Sequence, residues 1–123
     1  MVQAKTRLAL VGISLVMLLS ACGSSPEMIA FAKCMSEKGA VMYGSYTCIH
    51  CLNQKEKFGS AFSEIKYVEC NPNSPKADVT KCETEKIRVT PTWTFGDGSR
   101  NEGEMKLVDL GAKTNCEVPL EAK

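Results

Sequence analysis

Val41-Met42-Tyr43-Gly44-Ser45-Tyr46-Thr47-Cys48-Ile49-His50-Cys51 is the stretch on which the reading of this chain turns. Residues 41–43 read as the end of a short buried strand, and Gly44-Ser45 as the break after it. Beyond the break, Cys51, Phe58 and Phe62 recur at helical spacing. Cys48 is therefore expected where a strand ends and a helix begins. Two thiols two residues apart can close a disulfide across the first turn of such a helix. The backbone N–H groups there lack intrahelical partners, and the helix dipole favours negative charge. A thiolate, the nucleophilic form of cysteine, is stabilised by that field. His50, between the two cysteines, can add a hydrogen bond or partial positive charge beside the Cys48 sulfur. A zinc half-site is the competing reading. Structural zinc takes four ligands, commonly from two such pairs. The chain has no second C-x-x-C, His50 is its one histidine, and a partial site with Cys70 and Cys82 is all it could offer. The strand-to-helix junction favours redox chemistry.

The rest of the composition bounds the setting. The chain has 123 residues, 7 cysteines and 44% hydrophobic residues, which suits one small domain. Part of that apolar content precedes the fold. Lys5 and Arg7 form a basic start, residues 8–19 are an apolar run with Gly12 and Ser14 inside it, and Leu19-Ser20-Ala21-Cys22 closes it. So short a run reads as a secretory signal rather than a spanning helix. Its ending resembles a bacterial lipobox, whose cysteine is lipidated and becomes the mature N-terminus. Residues 1–21 are accordingly expected to be a lipoprotein signal peptide, and residues 22–25 a tether carrying lipidated Cys22. Removing Lys5 and Arg7, with no acidic residue, takes the formal net charge from +1 to −1. No basic run or aromatic-interleaved patch survives, which argues against a nucleic-acid partner. An exported, cysteine-rich domain can keep its disulfides, and one this small gains from them.

Along residues 26–113 the pattern is that of an α/β domain. Ser25-Pro26-Glu27 combines a capping hydroxyl, a proline at the first helical position and an early acid. Met28, Phe31, Ala32 and Met35 form one apolar stripe, and Gly39 ends the helix. After the first strand, a helix is expected over 49 to about 60, a second strand over 65–70, and a Pro/Asn loop over 71–77. Asp78 can cap a short helix running to about Lys86. Residues 92–95 read as a third strand, Asp97-Gly98 as a turn, 99–102 as a fourth strand, and 105–110 as a last short helix. Residues 114–123 read as a tail containing Cys116 and Pro119. Helix, strand, helix, strand gives parallel pairing by crossover, and a closing hairpin adds antiparallel strands. The expected fold is a four-stranded mixed sheet flanked by helices.

That order, with C-x-x-C opening a helix and Pro91 before the third strand, resembles the thioredoxin fold. The resemblance extends to Tyr43-Gly44, to Cys51-Leu52-Asn53-Gln54-Lys55, to Phe58-Gly59, to Tyr67-Val68-Glu69-Cys70-Asn71-Pro72-Asn73, and to Cys82 and Pro91-Thr92-Trp93. Together these are similar to the thioredoxin-like domain fused to, or encoded beside, bacterial homologues of vitamin K epoxide reductase. The resemblance implies that Cys48 attacks and Cys51 resolves, and that Pro91 is a cis proline facing the sulfurs. The backbone of Thr90 is then free to pair with a substrate strand. It implies exchange of disulfides with exported cysteine-containing proteins and reoxidation by a quinone-linked membrane protein, here expected as a separate chain. It also implies a Cys70–Cys82 pair, read as a structural bridge beside the active site, with a second redox relay as the alternative. Four positions depart from the pattern: Ile49 replaces a frequent proline, Thr47 an aromatic residue, Thr90 a tyrosine, and Met42 a buried acid. These bear on substrate choice and redox potential.

Cys34 and Cys116 have no counterpart in the resemblance. A bridge from the first helix to the tail and a pair of free buried thiols both stand open. The reading that results is an envelope thiol–disulfide oxidoreductase, lipid-anchored and facing the periplasm or exterior, needing no cofactor or metal. The alternatives are a reductase for exported thiols or cytochrome maturation, and a metal-binding or structural lipoprotein.

Overall fold

Residues 23–122 are described by a computed structural model; the expected signal peptide and lipidation site at Cys22 lie outside the described residues. The first helix, α1 (Pro26–Glu37), is capped by Ser25, whose hydroxyl accepts the Met28 N–H, with Pro26 in the first turn. It buries Met28, Phe31, Ala32 and Met35, the stripe visible in the sequence. Its end is a paired set of reverse bonds: Gly39 N–H to the Ser36 carbonyl and Ala40 N–H to that of Met35. Gly39 carries the φ of +86° that this cap requires.

The chain then enters β1 (Val41–Gly44), followed by α2 (Ile49–Glu56), a 3₁₀ turn (Gly59–Glu64) and β2 (Lys66–Glu69). The helix expected to reach about residue 60 stops at Glu56. Gly59, at φ +56°, cannot continue it, and the chain tightens into the 3₁₀ turn. The helix α3 (Val79–Thr84) is capped by Asp78, whose carboxylate accepts the Lys81 N–H. The strands β3 (Thr92–Thr94) and β4 (Arg100–Glu102) form the closing hairpin. The last helix, α4 (Leu107–Thr114), begins two residues later than expected and runs four residues further. It buries Leu107, Leu110, Gly111 and Thr114.

The sheet order is β2-β1-β3-β4. β1 pairs parallel with β2 and antiparallel with β3, and β3 antiparallel with β4. Register sorts the side chains by face. Met42 lies opposite Tyr67 on one side and Trp93 on the other. That face carries the large core, in which Met42 and Trp93 meet Phe31, Met35, Phe58 and Leu110. The Phe31 and Phe58 rings stack at 6.0 Å, and Phe58 tilts against Trp93 at 6.3 Å. Each such buried side chain contributes roughly 1.5–3 kcal/mol. Tyr43 and Val68 point the other way and pack on Cys82 of α3 in a smaller cluster. Helices thus cover both faces, and the fold is a thioredoxin-like α/β arrangement.

Two disulfides hold it. Cys70 and Cys82 join the end of β2 to α3. Cys34 and Cys116 join α1 to the segment after α4, which resolves the two open readings in favour of a bridge. The segment expected to be a tail is packed: Cys116 is buried, and Val118 lies against the large core. Among the described residues, no helix is long and apolar enough to cross a membrane.

Candidate active site

Cys48 is the N-cap of α2, in extended conformation, and its sulfur accepts the Cys51 N–H at 3.2 Å. The same sulfur lies 3.4 Å from the Thr90 carbonyl oxygen. A protonated Cys48 donates to that carbonyl, and an ionised one accepts from the Cys51 amide, so each form has a partner. Thr90 is brought there by the loop before β3, and the Thr90–Pro91 peptide bond is cis. Cys51, one turn into α2, is fully buried, whereas Cys48 is partly exposed. The two sulfurs are not bonded to each other, so the pair is in its dithiol form.

The environment drives the two thiols apart. Partial burial would raise Cys48, but hydrogen bonds from the Cys51 and Thr90 side chains and the backbone N–H groups of Cys51 and His50 outweigh it. The Cys48 thiol is held below its ordinary 9.0. For Cys51, burial and the hydrogen bond to Cys48 push the thiol up to about 11. One sulfur is poised to attack and the other is kept protonated until it is needed.

His50 requires a correction. Its ring was expected beside the Cys48 sulfur; instead Nδ1 pairs with Glu104 Oε1 at 2.7 Å. His50 reaches the sulfur through its backbone N–H, which any residue at that position supplies. Glu104 also takes Lys57 Nζ at 2.7 Å and Asn53 Nδ2 at 3.4 Å, tying the exposed side of α2 to the loop after β4. Hydrogen bonds from Lys57, His50 and Asn53 hold the Glu104 carboxyl down to about 2.

Several residues of the site had no assigned role in the sequence reading, although Gln54 and Asn71 fall in the stretches that carry the resemblance. Gln54 is fully buried and accepts Trp93 Nε1–H at 3.3 Å and Met105 N–H at 2.7 Å, while donating to the Met105 carbonyl at 3.1 Å. It fixes α2 against β3 and the approach to α4. Asn71 donates to the Ser45 and Thr47 hydroxyls at 3.3 and 3.2 Å, coupling the loop after Cys70 to the approach to Cys48. Met42, where the resemblance expects an acid, is fully buried and apolar.

The chain is 42% identical over 95 residues to the thiol-disulfide oxidoreductase LTO1 of Arabidopsis thaliana, an alignment covering 74% of this chain. The dithiol domain is related to a thiol–disulfide oxidoreductase. The chain spans about a quarter of the length of that curated relative, 25%. No protein-family model matches the chain.

Chemically, the arrangement suits thiol–disulfide exchange: a partly exposed, activated sulfur and a shielded second sulfur one helical turn away. A zinc site is poorly served. Cys70 and Cys82 are bonded to each other, and among the described residues no group of three or more His, Cys, Asp or Glu side chains could hold a metal ion.

Proposed function

We propose that this protein is an envelope thiol–disulfide oxidoreductase, in which Cys48 attacks and Cys51 resolves. The observation that carries the reading is the asymmetry of the pair: Cys48 at the N-cap with its sulfur on the Cys51 amide, and Cys51 fully buried behind it. Substrates are exported proteins with cysteines in extended segments, the Thr90 backbone pairing with them as a strand. Exposed apolar side chains support this, with Tyr46, Ile49 and Leu52 around the dithiol and Val89 beside Thr90. The thiolate at Cys48 stabilises the reduced form and so favours an oxidant, with reoxidation by a quinone-linked membrane protein like the vitamin K epoxide reductase homologues. Lipidated Cys22 anchors the domain at the membrane surface, and mass spectrometry of the mature terminus tests that part.

The deciding experiment traps the mixed disulfide. Cys51→Ser in the native envelope should accumulate covalent adducts that vanish on reduction, among them one integral membrane protein and several exported cysteine-containing proteins. Cys48→Ser should form none. Adducts confined to cytochrome-maturation proteins would move the reading to a reductase. No adduct at all, where the wild type is active, would remove the two-thiol mechanism.

A further inference from the structure

The chain enters the fold without slack. Ser24 is docked on the turn that follows α2. Its hydroxyl donates to the Phe58 carbonyl at 2.6 Å and accepts the Ala61 N–H at 2.9 Å. Its own N–H donates to Ser60 Oγ at 2.8 Å. Gly59 makes the room, since a Cβ built there would lie 2.9 Å from Ser24 Oγ. The next residue, Ser25, caps α1 and donates to the Glu121 carboxylate. Both serines of the stretch before α1 are thus built into the domain. Gly23 is the first described residue, and one peptide unit, about 3.8 Å between Cα atoms, joins it to Cys22.

This dock and the dithiol occupy opposite ends of one helix. Cys48 caps the start of α2, and the Phe58 carbonyl that holds Ser24 lies just past its end. At helical rise, the chain from Cys48 to Phe58 covers about 15 Å. Adding the dock and the two peptide units back to Cys22 puts that residue within roughly 30 Å of Cys48.

The surface around the exit suits a bilayer. Two open grooves meet there, sharing Met28, Lys57 and Glu121. One begins beside Ser24 and Gly59, and the other runs on to Lys106 and Val108. Val108 is 38% exposed, and Leu120, in the same turn as Glu121, is 83% exposed. Lysines set among exposed apolar side chains match the headgroup boundary, with stems on apolar surface and ammonium groups on anionic phosphate. The acid among them, Glu121, is engaged by Ser25, and Lys57 is shared with Glu104. So small a face does not hold a bilayer unaided. Beside a covalent anchor the contact is intramolecular and needs little affinity of its own.

We propose that the domain rests on the bilayer through this face, leashed by the lipid on Cys22, so that its dithiol works within roughly 30 Å of the headgroups. This rests on the lipid-anchor reading above. The 3₁₀ turn and the start of α4 face the lipid, and Cys48 stands at the far end of α2. The cysteines within its reach are those of integral membrane proteins and of exported chains still held at the membrane surface. A protein free in the compartment is met only when it comes down to that layer.

Height above the bilayer decides the matter. The full lipidated chain is purified from membranes, mildly reduced and alkylated with a fluorescent donor at Cys48; the other free thiol among the described residues, Cys51, is buried. It is placed in phosphatidylcholine–phosphatidylglycerol vesicles whose headgroups carry an energy acceptor. The donor should lie within roughly 30 Å of the headgroup plane. A flexible insert of about 12 Gly/Ser residues between Cys22 and Gly23, outside the fold, should raise it by about 20 Å. A donor on Lys106→Cys, in a chain carrying Cys48→Ser, should lie nearer the headgroups than the donor on Cys48. A Cys48 donor beyond that limit, a height unmoved by the insert, or a Lys106→Cys donor higher than the Cys48 donor overturns the seating and leaves the lipid anchor standing. Mass analysis of the same preparation reports the anchor itself. An unmodified Cys22 overturns the anchor reading and the seating with it.

Discussion

The His50 imidazole pairs with Glu104 at 2.7 Å and makes no hydrogen bond to the Cys48 sulfur two residues before it. The activating donors at Cys48 are backbone groups and the neighbouring thiol and hydroxyl. His50→Ala keeps the backbone N–H. It should shift the Cys48 titration by less than about half a unit, against survey deviations of about one unit for folded-state values. Thiolate absorbance against pH reads this directly. A large upward shift would restore the ring to the role the sequence suggested.

The carboxylate it pairs with should matter in acid. The folded-state value of Glu104 is depressed to about 2 from 4.5. Such a group contributes stability that is fully present above its unfolded value and lost as pH falls through the folded one. Melting temperature should therefore fall across the window from 4.5 to about 2. Glu104→Gln should flatten that part of the profile, and thermal melts of both proteins in a pH series compare them.

Thiolate absorbance of the reduced protein should rise in two separated steps. The first belongs to Cys48, below 9.0, and the second to Cys51, near 11. Cys51→Ser should abolish the upper step. A single step at the ordinary thiol value would contradict the asymmetry on which the mechanism depends.

The two structural bridges should differ in what they stabilise. Cys70–Cys82 closes a separation of 12 residues and Cys34–Cys116 one of 82. Chain entropy gives roughly 3 kcal/mol for the first and roughly 4.5 for the second. Replacing Cys34 and Cys116 by alanine should cost more, by roughly 1.5 kcal/mol on this model, than replacing Cys70 and Cys82. Urea unfolding of the two double variants measures the difference. Dithiol exchange at Cys48 should survive loss of Cys70–Cys82, and its collapse at unchanged stability would make that pair a relay.

Much of this architecture is written locally. Ser25-Pro26, Gly39, Asp78 and Asp97-Gly98 announce their caps and turns because the chemistry that fixes them lies within a few residues. The α1 stripe is legible for the same reason, since all four of its apolar residues are buried. What could not be read depends on distant partners. The early end of α2 follows from a left-handed Gly59, and the length of α4 from the packing of the segment beyond it. The part played by Gln54 was not legible, because a buried amide is recognised only once Trp93 and Met105 are placed around it.

The bridge between Cys34 and Cys116 makes a closed covalent circuit of the intervening chain, with the dithiol inside the loop and only short arms outside it among the described residues. A single cut in the backbone anywhere along that circuit opens the ring without releasing a fragment. In the envelope setting proposed above, a nicked molecule would remain one particle, its strands still paired. Separation would await reduction of the Cys34–Cys116 bond.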